Sequence, residues 1–107
     1  MSMSKSSVSL PRRKLIEIMQ SRNFGRFEGL FVCNREPVLD PLPRIIREIK
    51  ASGENGSRSE IAVNDFLLKS QVVELFQFFD KLGNGLIEVL EFKHGLPFRW
   101  FVVDAAA

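Results

Sequence analysis

At 107 residues the chain suits a single domain, and a hydrophobic share of 45% excludes general disorder. Fifteen basic against thirteen acidic residues leave a formal charge of +2, too little to name a nucleic-acid partner. The single cysteine, Cys33, excludes an internal disulfide, and neither a signal-peptide core nor a run of membrane-spanning length occurs, so a cytoplasmic protein is expected.

In chain order, residues 1–8 are a polar, Ser-rich tail expected to be disordered, and residues 9–104 are expected to form one small domain. Ser9 as cap and Pro11 in the first turn predict a helix through about Gln20, with Leu15, Ile16 and Met19 on its buried face. Gly25 to Cys33 is strand-like, Asn34-Arg35 suits a turn, and residues 36–39 make a short return before Asp40-Pro41-Leu42-Pro43 breaks the pattern. Residues 44–50 fit either a short helix or a strand; their β-branched content and flanking prolines favour the strand. Residues 51–60, rich in Gly, Asn and Ser, are expected to be a surface loop.

The second half carries the strongest helical pattern. Val72, Leu75, Phe76, Phe79 and Leu82 recur at helical spacing, which predicts a helix over 65–82, capped by Asn64 and stopped by Gly83. Leu86 to Phe92 is β-prone, Lys93-His94-Gly95 suits a hairpin turn, and residues 98–103 read as the returning strand after Pro97.

At an offset of sixty positions the chain matches itself without gaps. Leu15 meets Leu75, Gly25 meets Gly85, Glu28 meets Glu88, Leu30 meets Leu90 and Pro37 meets Pro97, while Phe27, Val32 and Met19 fall on Ile87, Phe92 and Phe79. Both presumed hairpin turns coincide. The pattern predicts two helix–strand–strand units, about 11–40 and 65–103 with a linker over 41–64. The expected fold class is α+β, with one antiparallel sheet and both helices packed on one of its faces.

Catalytic chemistry has little to work with. His94 and Cys33 are the only residues of their types, near hairpin ends in different units, which predicts no nucleophile–base pair. Glu28 and Glu88 are candidates for an acidic pair, but their neighbours Arg26 and Arg99 favour simple ion pairing. No catalytic residue, cofactor or phosphate loop is expected. The clusters Arg12-Arg13-Lys14 and Arg44, Arg47, Lys50 could track phosphates or contact a partner; Glu17 and Glu48 interrupt them, so a solvated face is the preferred reading.

The segment Asp80-Lys81-Leu82-Gly83-Asn84-Gly85-Leu86-Ile87-Glu88-Val89-Leu90-Glu91 resembles an EF-hand calcium loop. That resemblance implies Asp80, Asn84, Leu86, Glu88 and Glu91 as ligands. It fails at the third ligand position, occupied by Leu82, and the β-prone run after Leu86 opposes an exit helix. Residues 53–60 (GENGSRSE) and 91–98 (EFKHGLPF) also resemble segments of small uncharacterised bacterial proteins, a family that implies no activity. The expectation is therefore a non-enzymatic binding module. A protein partner or a second copy of the chain comes first, with a degenerate calcium-binding module and a nucleic-acid-binding domain as alternatives and no membrane association.

Overall fold

Ser9 opens the first element of the computed structural model, which describes residues 8–51 and 69–104. Its hydroxyl accepts the Arg12 N–H at 3.4 Å, and Pro11 occupies the first turn, where a missing N–H costs nothing. Helix α1 (Leu10–Arg22) ends at Asn23, whose N–H reaches back to the Met19 carbonyl at 2.8 Å. Helix α2 (Ser70–Leu82) ends the same way on Gly83, bonded to the Phe79 carbonyl at 2.9 Å.

The helix expected from residue 65 begins instead at Ser70. Lys69 is extended (ψ 157°) and caps without a side-chain bond, and the buried face starts only with Val72. Asn64 and Asp65 lie outside the described residues, as do the tail 1–7 and most of the linker, including the segment 53–60.

Among the described residues five strands form one antiparallel sheet: β1 (Gly25–Cys33), β2 (Glu36–Pro37), β3 (Arg44–Arg47), β4 (Gly85–Lys93) and β5 (Leu96–Val102). Their order is β2-β1-β4-β5, and β3 takes the part of the β1 edge that β2 leaves free. The return expected over 36–39 pairs only through Pro37; Val38 still donates to the Phe31 carbonyl, and Leu39 then turns into the core. Residues 44–47 are a strand, with Ile45 opposite Phe27 and packed against the core. The second return begins at Leu96, and Pro97 sits inside it near its start.

Both hairpins close on two residues with positive φ, Asn34 (52°) with Arg35 (69°) and His94 (54°) with Gly95 (74°), the conformation that matches strand twist. Each tip bonds to the opposite helix end: the Arg35 N–H donates to the Gly83 carbonyl at 2.7 Å and the Gly95 N–H to the Asn23 carbonyl at 2.9 Å.

The two halves meet through β1 and β4. Gly25 pairs with Phe92 and Val32 with Gly85, the same pairing with the halves exchanged. Phe27, Leu30 and Val32 on β1, and Ile87, Leu90 and Phe92 on β4, all point to the helix side. Three-residue steps from Phe27 to Leu30 and from Ile87 to Leu90 break the two-residue period of a strand. Gly29, at φ 73°, supplies the adjustment on β1. Leu15, Ile16 and Met19 of α1 and Val72, Leu75, Phe76 and Phe79 of α2 complete one core between the helices and that face.

Gly25 and Gly85 are equivalent in sequence but not in surroundings. A Cβ on Gly25 would collide with the Ile46 backbone oxygen of β3, whereas on Gly85 it would meet only the Leu82 side chain, at 3.0 Å. Gly25→Ala is expected to cost about 2 kcal/mol, as overpacking against backbone does, and Gly85→Ala less than about 1 kcal/mol. Urea denaturation of the two variants checks the difference.

Candidate functional site

The helices cover one face of the sheet, and among the described residues no helix covers the other. On that open face Phe31 of β1 lies opposite Leu86 of β4, and Val89 of β4 opposite Phe101 of β5. Phe31 is 57% exposed and Phe101 47%. These apolar side chains alternate with the inward set on the same strands, so the β-pleat itself puts them outside.

Charges border this apolar strip as ion pairs, with Glu28 shared by two arginines. Arg26 Nε meets Glu28 Oε2 at 2.9 Å, Arg44 Nε lies 3.6 Å from Glu28 Oε1, and Arg99 Nε donates to Glu91 Oε1 at 2.6 Å. The Arg99 guanidinium also lies over the Phe98 and Phe101 rings, at 5.3 and 5.5 Å, and the Lys93 ammonium over Phe98 at 4.3 Å. Arginine on an aromatic face adds cation–π attraction of about 0.5–1 kcal/mol where exposed.

The residues singled out from the sequence are spread through the fold. Of the calcium-loop set, Asp80 sits at the end of α2 and bonds Arg12, and Asn84 Oδ1 accepts the Asn34 N–H at 3.0 Å. Leu86, Glu88 and Glu91 lie along β4, the strand that stands where an EF-hand needs its exit helix. Among the described residues no three His, Cys, Asp or Glu side chains gather as a metal site requires.

The basic clusters divide. Arg44 and Arg47 face solvent on β3, while the Lys50 ammonium lies 4.5 Å from the Phe24 ring centroid. Cys33 ends β1 and His94 turns the other hairpin, edge-on to Phe24 at 4.9 Å; antiparallel pairing puts them at opposite ends of the sheet. Glu28 and Glu88 do come near the centre of the β1–β4 ladder, but Glu28 is held by Arg26 and Arg44.

Arg12, grouped by sequence with the solvated cations, is instead a structural anchor with a side chain only 12% exposed. Its Nη2 donates to Asp80 Oδ1 at 2.6 Å and to the Arg35 carbonyl at 2.8 Å, and its guanidinium lies 5.0 Å from the Phe76 ring centroid. It ties the start of α1, the first hairpin tip and the end of α2 together. One signal was available: the equivalent position sixty residues on is Val72, a buried apolar residue. Comparison with protein-family models, with curated proteins and with solved structures finds no match. Geometry alone carries the functional reading.

Arg12→Ala is expected to lower stability by about 2 kcal/mol through lost packing, hydrogen bonds and cation–π contact. Asp80 is 54% exposed, so Asp80→Asn should cost under about 1 kcal/mol, as exposed ion pairs do. Thermal or urea unfolding of both variants measures the ratio.

Proposed function

We propose that this chain is a small intracellular domain that is not an enzyme and acts by binding another macromolecule, a protein before a nucleic acid. The observation that carries this reading is the apolar strip Phe31, Leu86, Val89 and Phe101 on the sheet face that no described helix covers. A sheet face that carries an exposed apolar strip bordered by charges has the anatomy of a protein contact surface.

The same electrostatics argue against phosphate tracking. Glu28 engages both Arg26 and Arg44, and Glu91 engages Arg99, so much of the positive charge bordering the strip is already neutralised. Correspondence of helices, strands, turns and tip hydrogen bonds at the sixty-residue offset supports reading the two halves as copies of one helix–strand–strand unit. The likeness of segments 53–60 and 91–98 to small uncharacterised bacterial proteins fits this reading and adds no activity to it.

A photo-crosslinking amino acid in place of Phe31 or Phe101 in living cells is expected to trap a protein, while the same probe at Lys81 on α2 is not. In parallel, fluorescence anisotropy should place non-specific nucleic-acid affinity at about 10⁻⁴ M or weaker at physiological salt. Tight, steeply salt-dependent binding that disappears in Arg44→Ala/Arg47→Ala would reverse the order of partners.

A further inference from the structure

β5 ends the sheet. One of its sides pairs with β4, and among the described residues no strand pairs with the other. A free strand side is a row of N–H and C=O groups that an added extended chain can satisfy. Edges are commonly blunted by proline or charge. Here Pro97 removes an N–H only near the start of the strand, and Arg99, the one cation of β5, is held by Glu91 at 2.6 Å.

Along this edge, beside the first turns of α2, lies a cleft of about 270 Å³ lined by Gln71, Glu74, Pro97, Phe98, Arg99 and Trp100. Trp100 packs on Phe78 of α2, with ring centroids 5.7 Å apart, which gives the cleft a fixed aromatic wall. Glu74 is exposed and makes no ion pair among the described residues. The Phe98 ring already carries the Lys93 ammonium and the Arg99 guanidinium, so the aromatic surface left to a ligand is Trp100, beside a Glu74 carboxylate with no ion-pair partner among the described residues. Those features suit a side chain with an apolar stem and a cationic end.

We propose that the free edge of β5 accepts an extended segment of a partner protein as an added strand, with a lysine or arginine side chain seated in the cleft against Trp100 and its charge at Glu74. This rests on the protein-binding reading above but uses the sheet edge rather than the open face. Backbone pairing supplies affinity, and the cleft selects the side chain, as in other modes of strand addition. A second copy of the chain fits less well, because the only cation its own β5 could bring is Arg99, already engaged by Glu91.

The test uses fluorescent peptides of about nine residues, a usual strand length, that alternate lysine with valine. Three comparison peptides carry glutamate for lysine, glutamine for lysine, or N-methyl groups on alternate amides. Saturable binding of the lysine peptide, read by anisotropy and Trp100 emission, is expected. It should weaken about tenfold with glutamate, vanish on N-methylation, and weaken about fivefold in Glu74→Gln with no change for the glutamine peptide. Equal binding of the N-methylated peptide, or no binding of the lysine peptide at millimolar concentration, overturns the proposal. Full protection of every β5 amide from hydrogen exchange in the free protein also overturns it, because the edge is then already covered. If that protection rises with protein concentration, the occupant is a second copy. None of these results bears on cross-linking from Phe31, so the edge and the open face stand or fall separately.

Discussion

The antiparallel ladder between β1 and β4 is the constraint on which the rest of the structure depends. Each half alone has one helix of 13 residues over one hairpin, too little to enclose a core. Pairing Phe27 with Leu90 and Leu30 with Ile87 places the inward side chains of both halves side by side under both helices. A slip of one residue would turn these side chains to the open face, so burial itself fixes the register. The hairpin tips add a second lock, since each bonds the C-terminal end of the other half's helix through Arg35 to Gly83 and Gly95 to Asn23.

The halves differ where the chain has work other than symmetry to do. After Pro37 the first return leaves the sheet, Leu39 enters the core, and β3 covers the remaining edge of β1, against which Gly25 leaves room for the Ile46 carbonyl. After Pro97 the second return continues to Val102 and keeps one side unpaired among the described residues. Arg12 stands where the second half has Val72, and spans three elements with one guanidinium. Leu86, Val89 and Phe101 of the apolar strip and the whole lining of the cleft beside β5 belong to the second half, which gives that half the larger share of the candidate contact surface.

Much of this was legible in the sequence because it is written in local chemistry. Ser9 and Pro11 marked the start of α1, the spacing of Val72, Leu75, Phe76 and Phe79 marked the face of α2, and Asn34-Arg35 and His94-Gly95 marked both turns. The α+β class followed from those elements. The start of α2 did not, because Lys69 is extended and nothing in its residue type announces that. Arg12 was misread for a longer-range reason: its partners Asp80 and Arg35 are distant in sequence and meet it only after the halves dock. The open face was hidden in the strand alternation, since the three-residue step at Gly29 changes which side of β1 Phe31 occupies.

Native-state hydrogen exchange tests most directly the claim that the β1–β4 ladder unites both halves. Amides of Phe27 and Leu30 on β1 and of Ile87 and Leu90 on β4 should be among the slowest to exchange, with one shared opening free energy equal to that of global unfolding. Retained protection in α2, β4 and β5 while α1 and β1 exchange freely would show two independent units and contradict the account.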